Sequence, residues 1–122
     1  MGIANYTNLS ELMNEQLKTT GEATVSDLVA KSLRRGVILA SEGEPADKFD
    51  LENGFINLVE ALYRAGAIRP APANENEARL IQLFKSGTLA ENGYGGSEGD
   101  QFLDIKWVAL TDNPPVITNL PR

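Results

Sequence analysis

Residues 51–63, LENGFINLVEALY, carry the clearest helical pattern in the chain. Their apolar side chains recur at intervals of three and four, which places them on one face of an α-helix. Asp50 can cap this helix and Gly66 can end it. Gly54 lies inside it, where glycine costs about 1 kcal/mol relative to alanine. The expected buried stripe consists of Leu51, Phe55, Leu58, Val59, Leu62 and Tyr63.

Three further segments repeat this period: residues 9–19, residues 25–35, and a segment that begins at Asn74 and stops at Gly87. Each is preceded or opened by an asparagine or threonine that can accept a hydrogen bond from the first helical turn. We therefore predict a mainly α domain, a small bundle of about four helices. The expected buried stripes are Leu9, Leu12, Met13 and Leu17 in the first, Val25, Leu28, Val29 and Leu33 in the second, and Ala78, Ile81 and Phe84, broadened by Leu80 and Leu83, in the fourth.

Two segments outside the helices have extended signals. Residues 69–73 contain two prolines, which favour a stiff, extended linker. Residues 102–111 fit both an alternating strand and a helix. We favour the strand because a glycine-rich loop precedes it and Pro114 and Pro115 follow it. Trp107, the one tryptophan of the chain, is expected in the core of that strand's apolar face.

The C-terminal end adds a short β or extended element to the predicted bundle. Residues 116–118 fit either a hairpin partner for the preceding strand or an extended tail that pairs with something else. We predict one domain over residues 1–122, which is the usual size of a single domain. It is expected to carry extended arms at residues 1–7 and 112–122.

The chain contains no histidine and no cysteine in 122 residues. This composition excludes Ser-His-Asp and Cys-His catalysis, zinc held by imidazole or thiolate, and disulfides. The net charge of −6 argues against binding to nucleic acid or to an anionic membrane. No apolar run has the length of a signal peptide core or a membrane span. We expect a cytoplasmic or virion-associated protein that is not secreted by a signal peptide.

Two polar segments have the composition of ligand sites but lack their patterns. Residues 93–100 are dense in glycine, yet they lack the lysine of a P-loop, and Glu98 replaces the third glycine of a dinucleotide fingerprint. Five acidic residues lie between Glu42 and Glu52, where a solvated loop and helix start explain them better than a cation site. The basic residues within 31–35 suit the last turn of a helix. We predict no cofactor and no metal.

No catalytic constellation remains, so we predict a non-enzymatic structural protein that binds protein partners. It would be a subunit of an oligomeric assembly, such as a viral particle or a similar complex, tied to its neighbours by a tail that lacks local partners. Two alternatives stay open: a small acidic inhibitor or adaptor that binds a basic site on a partner, and a carboxylate-based hydrolase. The candidate partner-binding residues are Glu42, Glu44, Asp47, Tyr94, Val116 and Ile117.

Overall fold

The computed structural model describes residues 7–35, 48–87 and 101–117. Within these ranges the chain is mostly helical and includes a small antiparallel sheet, which confirms the prediction of a mainly α domain. Residues 101–103 are also helical and lead into the last strand. The elements, in chain order, are α1 (Thr7–Thr20), β1 (Glu22–Ala23), α2 (Val25–Arg35), α3 (Lys48–Arg64), β2 (Ile68–Ala71), α4 (Glu75–Ser86) and β3 (Lys106–Ala109).

The helix ends follow the capping signals in the sequence. The Asn74 side chain accepts a hydrogen bond from the backbone N–H of Glu77 at 2.9 Å, and the Thr24 hydroxyl accepts one from Asp27 at 3.2 Å. Gly87 closes α4 in the left-handed conformation, with φ of 81°, which glycine adopts without the steric cost of a side chain. The bounds of α2 and the start and stop of α4 therefore agree with the prediction.

The third helix begins earlier than its sequence pattern suggested. It starts at Lys48, so Asp50 lies in its first turn and does not cap it. An acidic side chain in that turn still interacts favourably with the helix dipole.

The sheet has the order β1-β3-β2, with β3 in the centre and antiparallel to both neighbours. Trp107 on β3 faces Ala23 on one side and Pro70 on the other. The stiff linker expected over residues 69–73 is thus partly a strand, a correction with a simple cause. Proline lacks a backbone N–H, yet its extended φ suits an edge strand that hydrogen-bonds on one side.

The strand expected over residues 102–111 is shorter than predicted. It occupies Lys106–Ala109, and residues 101–103 are helical. Its partners are the two distant strands, so residues 116 and 117 do not form the hairpin considered as one alternative.

The core lies between the sheet and the helices, and α2 packs mainly on α3. Trp107 is 1% exposed, which confirms its predicted core position. Its ring makes edge contacts with Tyr63, Phe84 and Phe102, at centroid distances of 6.0, 5.7 and 6.4 Å. No described helix combines the length and apolar character needed to cross a lipid bilayer.

Two of the predicted buried stripes are shifted around their helices. On α2, Leu33 is 47% exposed and the hydroxyl-bearing Ser32 is buried instead. On α4, Ala78 is exposed, whereas Leu80 and Ile81 are buried. Helical period alone places a stripe only to within one residue, because the facing elements decide its centre.

Candidate functional site

The chain that follows β3 runs along α1 as a segment that we call the strap, residues 110–117. The amide nitrogen of Asn14 donates to the carbonyl oxygens of Pro114 and Pro115, at 3.1 and 3.2 Å. The backbone N–H of Ile117 donates to the hydroxyl of Ser10 at 2.8 Å. The strap therefore runs antiparallel to α1. Side chains of α1 hold it through hydrogen bonds to its backbone.

The two helix residues that hold the strap lie on one stripe of α1. Ser10 and Asn14 are four positions apart in the sequence, so they project from neighbouring turns of the same face. Both are buried, with 1% and 6% of their surface exposed. Each turn of the helix thus presents one polar side chain toward the strap, and burial removes competition from water for these hydrogen bonds.

Between residues 114 and 117 the strap turns two side chains inward and two outward. Pro114 is buried and Ile117 packs partly against the core, whereas Pro115 and Val116 between them are exposed. A polyproline-type chain turns once in three residues, which places residues three apart on one side. The inward side of the strap is therefore apolar, and its backbone polar groups reach Ser10 and Asn14.

The upstream end of the strap borders an open depression of about 580 Å³. Leu17, Lys18 and Gly21 line it from the end of α1, and residues 109–112 line it from the strap side. The backbone N–H of Leu110 is held by the carbonyl of Ala67 at 2.8 Å, while its side chain is 54% exposed. Small-molecule sites bury most of the ligand's surface, whereas this depression is open to solvent.

At the strap, one buried polar atom has no hydrogen-bond partner within residues 7–35, 48–87 and 101–117. The amide oxygen of Asn14 is buried, and it accepts no hydrogen bond from the residues that the structure describes. The two bonds that Asn14 makes to the strap both start from its amide nitrogen. Asn14 therefore holds the strap as a donor and not as an acceptor.

Of the six predicted partner-binding residues, four lie outside the described residues and two lie on the strap. Glu42, Glu44, Asp47 and Tyr94 lie outside the described residues, so their roles stay predictions. Val116 is 53% exposed.

The C-terminal segment does find partners within its own chain. Ile117 is anchored through its backbone and packs on the core. The expectation of a tail without local partners is therefore corrected for residues 114–117. Contacts with a helix about 100 residues earlier in the sequence supply those partners.

Sequence reasoning missed Ser10 and Asn14. A signal was present, because Ser10 and Asn14 lie four positions apart, beside the apolar stripe of α1. Polar residues in that position are ordinarily interpreted as the solvated border of the stripe. Their burial depends on a segment from the other end of the chain, which local periodicity cannot reveal.

Two of the basic side chains near the end of α2 make contacts within the chain. Lys31 pairs with Asp27 at 3.3 Å and also bonds the Gln16 side chain, and Arg35 pairs with Glu15 at 3.5 Å. Among the described residues, no cluster of acidic side chains has the grouping of a metal site. The strap on α1 is thus the candidate site that the described geometry supports best.

Comparisons with protein-family models, with curated proteins and with solved structures find no match to this chain. Its function is therefore inferred from the residues themselves.

Proposed function

We propose that this protein is a non-enzymatic subunit of a protein assembly and acts by contacting other protein chains. The observation that carries the proposal is the outer surface of the strap. Leu110 and Val116 are 54% and 53% exposed, although the strap backbone around them is held on the body of the domain. Fixed apolar side chains on a surface segment are what a protein interface uses, since ordering costs little on binding.

The way in which the strap is bound also supports this proposal. Backbone hydrogen bonds and inward apolar contacts hold it, so its outward side chains are not needed for attachment. They are free to serve a second contact. Because only about half of each residue's surface is exposed, its burial at an interface contributes roughly 0.8–1.5 kcal/mol before the cost of association.

Light scattering combined with size exclusion tests the proposal. We expect the full-length protein to show a mass above that of one chain, increasing with concentration. The double variant Leu110→Ser, Val116→Ser should shift this equilibrium toward the single chain. Leu33→Ser is the matched control, because Leu33 is a leucine of similar exposure, 47%, that lies on α2 instead of the strap.

Two results would contradict the proposal. The first is a single-chain mass at every concentration, together with no cross-linked protein neighbour in native extracts. The second is an equal loss of association in the Leu33→Ser control, which would show that the strap has no special part in the contact.

A further inference from the structure

We infer that the outward side of the sheet is a contact between two copies of this chain, related by a two-fold axis along β3. The inference rests on the proposed function and names both the partner and the surface. This surface, which we call the outer sheet face, consists of Glu22, Arg69, Lys106, Val108 and Leu110. A two-fold contact uses the same patch on both copies, so the patch must be complementary to itself.

The strand register turns these side chains away from the core. Trp107 on β3 is buried, and successive residues of a strand point to opposite sides of the sheet. Val108 therefore points outward, together with its register partners Glu22 on β1 and Arg69 on β2. Leu110, two positions further along, lies on the same side and is 54% exposed. The outer sheet face thus continues into the exposed side of the strap.

One row across the outer sheet face is self-complementary in charge. Glu22 lies beside Val108 on one side and Arg69 lies beside it on the other, which gives the order acid, apolar, base. A two-fold axis along β3 exchanges the two flanks, so each Glu22 faces Arg69 of the other copy while the two Val108 side chains meet. Arg69 is exposed and makes no ion pair within the described part of the chain. Its guanidinium is therefore available for this contact.

The other two side chains of the face are compatible with the same axis. Leu110 meets its own copy and adds an apolar contact beside Val108. Two Lys106 side chains on the axis would repel each other, but each ammonium is paired with the Glu22 carboxylate at 3.4 Å and is drawn toward β1. The β1 strands of the two copies lie on opposite sides of the axis, so the ammonium groups are kept apart.

Both edges of the sheet are poorly suited to strand addition, which directs a second copy to the outer sheet face. On β1, the Thr20 hydroxyl accepts from the N–H of Glu22 at 3.3 Å and donates to its carbonyl at 2.7 Å. On β2, the bond from Leu110 N–H to the Ala67 carbonyl sets the alternation, and this turns the nitrogen of Pro70 toward the free edge. Proline has no N–H to offer there. The contact between copies is therefore made by side chains.

Charge-swapped variants of the full-length protein test the inference by size exclusion with light scattering. Glu22→Arg sets like charges opposite each other twice in the dimer, and so does Arg69→Glu. Each variant should therefore weaken self-association by about tenfold or more. An equimolar mixture of the two variants should restore association, because every contact between positions 22 and 69 in the mixed dimer again joins opposite charges. A loss of local stability cannot produce restoration on mixing.

Glu60 and Arg64 supply the matched control. They form an ion pair at 2.8 Å on α3, outside the sheet. Glu60→Arg and Arg64→Glu change the net charge by the same amounts as the two test variants. Neither should weaken association, alone or mixed.

A single introduced cysteine gives a second measurement, which applies even where Glu22→Arg fails to fold. The natural chain has no cysteine, and two copies of residue 108 meet at the axis. Val108→Cys should therefore form a disulfide-linked dimer on mild oxidation, since two thiols brought this close can be bridged. Leu33→Cys on α2 is the control and should stay a single chain under the same oxidation.

Three outcomes would overturn the inference. They are association that survives both single charge swaps, single variants that stay dissociated when mixed, and equal cross-linking of Val108→Cys and Leu33→Cys. Association that depends on Leu110 and Val116 yet survives the charge swaps would leave the assembly proposal standing. A single-chain mass at every concentration would overturn both, so the two failures are distinguishable.

Discussion

The aromatic cluster around Trp107 and the strap on α1 are held by different forces. The cluster joins Trp107 to rings from three other elements, at centroid distances of 5.7 to 6.4 Å. The strap is held by three hydrogen bonds between α1 side chains and strap backbone, and by partly buried apolar contacts. Burial of large rings fixes the fold. The strap, in contrast, is bound much as a peptide ligand would be.

The first prediction breaks the cluster and has the largest expected effect. Trp107→Ala should lower the free energy of unfolding by about 3–5 kcal/mol, because it removes a ring in contact with three others and leaves a cavity. Urea denaturation measures the change. The expectation assumes that the sheet and α4 share one core, so a loss below about 1 kcal/mol would contradict it.

Trp107→Phe is the control for this variant. The indole N–H of Trp107 is buried and finds no acceptor among the described residues, so its removal breaks no hydrogen bond. The phenylalanine variant should therefore retain most of the stability that the alanine variant loses.

The second prediction breaks the strap and leaves the cluster intact. Ser10→Ala removes the acceptor of the Ile117 N–H and should cost about 0.5–1.5 kcal/mol. The loss should be local: exchange of the Ile117 amide should accelerate by about tenfold, while the amides of β3 keep their protection. Hydrogen exchange followed by NMR measures both. Equal acceleration in β3 would show that the strap and the core unfold together.

The same contrast explains how much of the fold could be predicted from the sequence. Signals within one turn, such as Thr24 before α2 and Asn74 before α4, set the helix ends and were interpreted correctly. Trp107 was also placed correctly, because burial of the one tryptophan follows from its size. What could not be predicted was pairing between distant segments. The pairing of Pro70 with Trp107 could not be predicted, because Pro70 and the neighbouring Pro72 favour an extended linker.

The candidate site was predicted less well than the fold, for the same physical reason. Ile117 is predicted as a partner-binding residue, and that role stays a prediction. Ser10, which accepts the hydrogen bond from its backbone N–H, lies about 100 residues away in the sequence. A serine and an asparagine beside an apolar stripe resemble solvated helix positions. They are buried, and they bond to backbone groups, only because residues 114–117 pack on α1.

The last prediction, with the smallest expected effect, compares two unsatisfied buried oxygens. Ser32 on α2 is 1% exposed and its hydroxyl, like the Asn14 oxygen, has no partner among the described residues. No backbone segment is bonded to it, however, so its hydroxyl has no ligand to recognise. Ser32→Ala removes an unpaired polar group and introduces a better helix former, and it should leave stability unchanged or raise it by up to about 1 kcal/mol.

Chemical denaturation of Ser32→Ala and of Asn14→Leu completes the comparison. Removal of the Ser32 hydroxyl breaks no hydrogen bond among the described residues, whereas Asn14→Leu removes the two donors that hold the strap and should lower the free energy of unfolding by about 1–3 kcal/mol. A loss of more than about 1 kcal/mol on Ser32→Ala would mean that its hydroxyl is satisfied in the folded protein. The contrast between Ser32 and Asn14 would then disappear, because both side chains would stabilise the fold through hydrogen bonds.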